Sequence, residues 1–320
     1  LLTTKIIDKI REQNINITNW VAGIRKQSFC LTRGDTYHRS LIYEDNDNWQ
    51  NISLNKEIDE RIEKYLDSRR HGKNDWVFFH KDPVFNAEKL LQDIKIDPSK
   101  PIIGMPTNVI WDARINFPSN FFESILEWVF YTIDYFSKRD DIQLLIRVHP
   151  AEVNVTKPAE QRIKDEILRK YKSLPPNVFI VDAENNISTY PLFDKCNGII
   201  LYGTKMGIEL PTKNIPVIVC GEAFVRNKKI AIDITSKKHY LKILNELPFK
   251  DYKVNVSRAK KYAYHFFFRR TIKLKSILEV NNQWPNININ KNLNNILKER
   301  SDPGLEKIIK CFENGEDFIF

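Results

Sequence analysis

Between residues 101 and 220 the chain repeats one pattern: a short apolar run, a polar turn, then apolar positions three and four apart. The first run is 101–105 (PIIGM), closed by Pro106, Thr107 and Asn108. Ser119 then reads as the N-cap of a helix carrying Phe121, Phe122, Ile125, Leu126, Val129, Phe130 and Ile133 at helical spacing. Four further runs follow at 142–148 (IQLLIRV), 177–181 (NVFIV), 198–202 (GIILY) and 216–220 (PVIVC). Helical composition at 158–172 and 187–196, and a helix start at 204–210, separate them. Each run is almost continuously apolar, the mark of parallel strands covered by helices on both faces. Five such units predict an α/β domain with a doubly wound, parallel Rossmann-type sheet over 99–248.

The flanks differ. Residues 1–98 hold helical stretches at 4–13 and 56–68 and a strand candidate at 76–79, too few units for a second domain of the same kind. Residues 256–278 predict one basic, aromatic-rich helix, followed by an Asn-rich connector (281–295) and a last helix near 303–313.

Composition narrows the class. With 42% hydrophobic and 28% charged residues the chain can bury a core, so a disordered tail is excluded. The apolar runs are far shorter than a bilayer span. Residues 1–5 (LLTTK) show no signal-peptide pattern, and without an initiator Met the chain reads as a piece of a longer protein. Cys30, Cys196, Cys220 and Cys311 form no CxxC and read as buried thiols in a reducing compartment, with no structural zinc site expected. Fifty Lys and Arg against 41 Asp and Glu give a net charge of +9, which admits nucleic acid, an anionic membrane surface or phosphorylated small molecules as partners.

Open parallel sheets bind ligands beyond the carboxyl ends of their strands. Thr107, Asn108 and Asp112 follow the first run here, and Arg147, His149 and Pro150 close the second. Asp182 and Glu184 follow the third, the segment Tyr202, Gly203, Thr204, Lys205, Gly207, Glu209 follows the fourth, and Gly221 and Glu222 follow the fifth. Gly203 and Gly207 around Thr204, at a helix start, suit a phosphate, to which Lys205 adds charge; an ordinary turn with a capping Thr fits equally. Glu209, one turn on, is in reach of a ribose hydroxyl. His149 before Pro150 sits where it can donate to a phosphate or serve as a base, or simply bond local backbone. Glu222 contacts hydroxyls or caps a helix, and Asp112 is a carboxylate for base or nucleophile or a loop cap. Neither a Walker loop nor GxGxxG is present, which disfavours a nicotinamide cofactor. Asp140 and Asp141 lie at the wrong end of the sheet for a metal, so none is expected. The run RAKKYAYHFFFRR (258–270) mixes cations and aromatics, but Ala259, Tyr262, Ala263 and Phe266 at helical spacing favour a buried helix over nucleic-acid binding.

The strings IRVHPAE (146–152), 177–210 and IPVIVCGEAF (215–224) resemble bacterial capsule and surface polysaccharide biosynthesis proteins, among them capsule-type Kdo transferases. In that family an HP dipeptide follows one Rossmann strand, a Ser/Thr–Gly–Glu segment a later one, and a strand-plus-Gly segment comes next. The matching residues are His149 with Pro150, then Thr204, Gly207 and Glu209, then 216–221. The resemblance implies a GT-B-like fold with 99–248 as the nucleotide-sugar-binding domain. It also implies a partial or truncated N-terminal, acceptor-side region at 1–98, with C-terminal crossing helices at 249–320 packing back on it.

The implied function is transfer of a sugar from a nucleotide-activated donor, CMP among the candidate carriers, to a glycan or glycolipid acceptor. Asp112, His149 and Glu222 are the expected catalytic residues, and Arg147 with His149 neutralises the leaving group. Thr107, Asn108, Pro150, Tyr202, Gly203, Thr204, Lys205, Gly207, Glu209 and Gly221 complete the donor site. No cofactor is expected beyond the donor as substrate, no nucleic acid is expected as a partner, and the setting is cytoplasmic, with the inner face of the membrane left open. The alternative is a non-catalytic adaptor that presents its basic helix to lipid or to a partner.

Overall fold

The computed structural model describes residues 2–13, 15–72, 74–76, 83–110, 121–154, 158–274, 278–279, 286–287, 293–296 and 298–320. The chain divides into two units, Leu1–Phe78 with Lys260–Phe320, and Phe79–Ala259.

The first unit opens with α1 (Leu2–Glu12) and an antiparallel hairpin, β1 (Thr18–Ala22) against β2 (Ser28–Arg33), with Trp20 opposite Leu31. After α2 (Tyr37–Ile42) comes α3 (Lys56–Arg70), whose N-cap Asn55 accepts from the amide of Ile58. The hairpin lacks a continuous apolar run and is not predicted above. Of the strand expected at 76–79, residues 77–79 lie outside the described residues.

The second unit carries the parallel sheet. After α4 (Ala87–Asp93) come β3 (Ile102–Pro106), α5 (Ile125–Phe136), β4 (Gln143–Arg147), α6 (Ile163–Lys170), β5 (Val178–Val181), α7 (Thr189–Phe193), β6 (Gly198–Leu201), α8 (Met206–Glu209), β7 (Val217–Val219), β8 (Ile232–Asp233) and α9 (Lys237–Asn245). All pairings are parallel and the order is β5-β4-β3-β6-β7-β8. The chain therefore winds outward from β3 to β5, returns, and winds the other way from β6 to β8. That is the doubly wound order, and its reversal falls between β3 and β6. Strands β3, β4, β6 and β7 are buried at every position, as their unbroken apolar runs require. On α5, Ile125, Trp128, Val129, Ile133 and Phe136 form one buried stripe and enter the same core as Ile103, Met105, Leu144 and Ile146.

Two expectations are corrected here. Helix α5 starts at Ile125, where the Ser124 hydroxyl accepts from the Glu127 amide, and Phe121–Glu123 form bends; Ser119 lies outside the described residues. A sixth strand, β8, also joins the sheet: Ile230, Ile232 and Ile234 alternate with other residues, as on an edge strand, and leave no continuous run.

The chain continues through α10 (Val256–Tyr264), β9 (Ile272–Lys273, antiparallel to β2), the pair β10 (Leu278–Glu279) and β11 (Asn286–Ile287), α11 (Leu293–Ile296) and α12 (Pro303–Asn314). The single helix expected at 256–278 instead ends in a π-turn, His265–Arg269. His265, Phe266 and Phe267 are all buried, and one stripe of period 3.6 cannot bury three successive side chains; the wider turn does. The basic groups of this segment are engaged internally: Lys260 with Asp59 (2.6 Å) and Glu63 (3.2 Å), Lys261 with the Gln50 carbonyl, Arg269 with that of Asn48, Arg270 with that of Phe318. All four cysteines are buried free thiols. No helix among the described residues is long and apolar enough to cross a membrane.

Candidate functional site

At the reversal point of the sheet the loop after β3 meets the loop after β6. The Asn108 carboxamide donates from Nδ2 to the Gly203 carbonyl (2.7 Å) and accepts at Oδ1 from the Gly203 amide (3.3 Å). One side chain thus satisfies both polar groups of one residue's backbone across the reversal point, fixing the separation of the two loops. Thr107, 2% exposed, joins a third loop: its amide donates to the Arg147 carbonyl (3.0 Å), and its hydroxyl accepts from the His149 amide (3.2 Å).

His149 caps a 3-10 turn, Pro150–Glu152, with Pro150 buried at its first position. Its Nδ1 accepts from the Ala151 amide (3.0 Å), so in the neutral ring the hydrogen belongs to Nε2. The local reading of His149 as a capping residue is therefore true of one nitrogen, and the other remains a donor.

Arg147 is placed differently from the expectation. Only 1% exposed, its guanidinium donates to the carbonyls of Asp182, Asn185 (2.9 Å) and Ile187 (3.3 Å), so it organises the loop after β5. Burial pushes its pKa down to about 10. Asp182 in turn pairs with Lys164, and Glu184 with Arg162 (2.6 Å).

After β6, Tyr202 is buried with its ring 5.4 Å from that of Trp128. The Thr204 hydroxyl accepts from the Met206 amide (3.4 Å), the local capping contact, while Lys205 is half-buried. Glu209 lies in α8, 4% exposed. Glycines let the next loop approach. The Gly221 amide donates to the Tyr202 carbonyl (2.8 Å), and a Cβ on Gly221 would stand 2.7 Å from that same oxygen. A Cβ on Gly203 would stand 2.9 Å from the Glu222 carbonyl, and one on Gly207 3.0 Å from Val225. Glu222 faces Arg226 at 4.0 Å, and Arg226 also donates to the carbonyls of Gly221 (3.1 Å) and Ile234 (2.8 Å).

The structure therefore brings Thr107, Asn108, His149, Gly203, Gly221 and Glu222 into one contiguous edge spanning the loops after β3, β4, β6 and β7. The guanidinium of Arg147 turns to the loop after β5, Glu209 is buried in α8, and Asp112 lies outside the described residues. Among the described residues no three His, Cys, Asp or Glu side chains come together in a metal-holding group.

Glu152, given no role above, emerges from the geometry. It is 1% exposed, and its Oε1 accepts from the Ile163 amide (3.2 Å), serving as the cap that Arg162, at the N-cap of α6, does not supply. Burial pushes its pKa up to about 7. The available signal was an acid three residues after His149, at the end of the turn that Pro150 opens.

No protein-family model matches the chain, and no curated protein does. Solved structures do. The Thermosulfurimonas dismutans KpsC β-Kdo 2,4 transferase superposes with a TM-score of 0.53 at 13% identity, covering 89% of this chain and 81% of that one. The fold is GT-B-like. The KpsC β-Kdo 2,7 transferase of the same organism gives 0.47 at 14% identity over 88% and 79% of the two chains. UDP-GlcNAc 2-epimerase from Neisseria meningitidis, bound to UDP-GlcNAc, gives 0.38 at 15% over 55% and 43%.

Proposed function

We propose that the second unit binds a nucleotide-activated sugar at the β3/β6 edge and that the protein transfers the sugar to a glycan acceptor in capsule or surface polysaccharide synthesis. The observation that carries this reading is the hydrogen-bonded continuity of Thr107, Asn108, His149 and Gly203 across the reversal point, where open parallel sheets take their ligands. The likeness in fold to a β-Kdo transferase supports sugar transfer as the reaction class.

In this reading the Nε2 hydrogen of His149 is donated to the phosphate of the departing nucleotide, stabilising charge that develops as the glycosidic bond breaks. Thr204 and Lys205 add phosphate contacts, Glu222 takes a sugar or ribose hydroxyl, and Asp112 is the carboxylate for the acceptor side. Arg147 acts by holding the loop after β5 in shape, and Glu209 is a further candidate for a ribose hydroxyl. CMP stands among the candidate carriers, and a nucleotide donor sets the reaction in the cytoplasm.

A melting-temperature screen with CMP, UDP and GDP tests the reading, because a ligand bound only by the folded state raises the midpoint. One nucleotide is expected to raise it in the native protein and to do so far less in His149→Ala. A screen without any shift overturns the reading.

A further inference from the structure

The first unit holds a concentration of positive charge that the proposed transfer does not use. Arg25, in the β1–β2 turn and 8% exposed, donates from Nε and Nη2 to the Thr271 hydroxyl (3.2 and 2.9 Å) and from Nη2 to the Thr271 carbonyl (3.3 Å), both neutral acceptors. Its guanidinium carbon lies 4.8 Å from the centroid of Phe268. Arg61, exposed on α3, has its guanidinium carbon 4.3 Å from the same ring and 5.7 Å from that of Tyr264. Two turns further along α3, Arg69 stacks on Phe267 (5.2 Å). Arg69 has its carboxylate: it pairs with Asp75, which also accepts from the Tyr65 hydroxyl (2.7 Å).

Among the described residues no carboxylate makes an ion pair with Arg25 or Arg61. Glu57, one helical turn before Arg61 and placed for an i,i+4 pair, does not take it. A buried guanidinium without a carboxylate is costly, and a second cation on the same ring adds to the cost. Burial pushes the Arg25 pKa down to about 10, and the charge of Arg61 acts in the same direction against Tyr65 and Asp75. The Thr271 contacts fix Arg25 in place, and Arg61 shares the Phe268 ring with it. Planar guanidiniums held on aromatic faces keep their donor edges oriented, the arrangement that suits phosphate and carboxylate oxygens.

We propose that Arg25 and Arg61, seated on Phe268, form an oxyanion site that takes a phosphate or carboxylate group. The assignment stands whether or not the second unit binds a nucleotide. Calorimetric titration of the full chain with inorganic phosphate and, separately, with glucuronate distinguishes the two oxyanions. Saturable binding of at least one is expected, weakened about tenfold or more in Arg61→Gln. Binding of neither, or binding that Arg61→Gln leaves intact, overturns the site. The Nε resonances of Arg25 and Arg61, followed by NMR in the native protein during the same titrations, give a readout free of any substitution. Movement of both supports the site, and stationary resonances overturn it.

Discussion

The two units gather chemistry in opposite ways. In the second, polar residues arrive at one edge because successive parallel strands end there, and they are joined by neutral hydrogen bonds between loops that glycines allow to touch. In the first, charged groups come from a hairpin turn, a helix and a π-turn, and Arg25 meets Thr271 across 246 residues of sequence. They are oriented by aromatic rings and partly neutralised inside the fold. A strand-edge site is therefore assembled by strand order, whereas a site of buried charge depends on every partner being present.

The sharpest way to break that comparison is to remove one charge from the first unit. Glu44 accepts from or pairs with buried His265 (2.9 Å) and lies 3.6 Å from Arg270. Glu44→Ala should cost about 3–5 kcal/mol, because it leaves buried cationic and polar groups without their carboxylate. Urea unfolding measures the loss; a cost below about 1 kcal/mol would mean that this unit is no more sensitive than an exposed ion pair.

A buried carboxyl in the second unit offers a comparable test. The Glu152 carboxyl titrates at about 7 in the fold against 4.5 ordinarily, so the folded state holds its proton more tightly than the unfolded chain. Its contribution is fully present below pH 4.5 and declines as pH rises to about 7, by roughly 3 kcal/mol in all. Subtracting the pH–stability curve of Glu152→Gln from that of the native protein should isolate this decline; parallel curves would contradict it. Next in size, Gly221→Ala drives a methyl group against the Tyr202 carbonyl and should cost about 2–3 kcal/mol in melting experiments. Smallest in stability is Asn108→Ala, at about 1 kcal/mol. Its effect on nucleotide affinity, read by calorimetry, should exceed its effect on unfolding, which separates a residue that shapes the crevice from one that merely fills space.

Legibility in the sequence follows the same division. The runs that became β3, β4, β6 and β7 were plain because strands buried on both faces must be apolar throughout, and several residues after them meet at the reversal point for topological reasons. Edge strand β8 and the β1–β2 hairpin, half-exposed, lacked that signature. Arg147 sits beside the HP pair, yet its guanidinium turns to the carbonyls of residues 182–187, a choice set by the depth of β4 that no local pattern encodes. The burial of Glu209 and Glu152 likewise depends on what packs over them. The stacking of Arg25 and Arg61 on one ring joins three distant segments and was invisible until the chain was folded.

Isothermal titration of CMP, UDP and GDP into the native protein, His149→Ala and Arg61→Gln is the most direct test of the central claim. The account predicts that one nucleotide binds saturably, that His149→Ala weakens it about tenfold or more, and that Arg61→Gln leaves it unchanged. Absence of binding by all three nucleotides, or an affinity indifferent to His149, would contradict it.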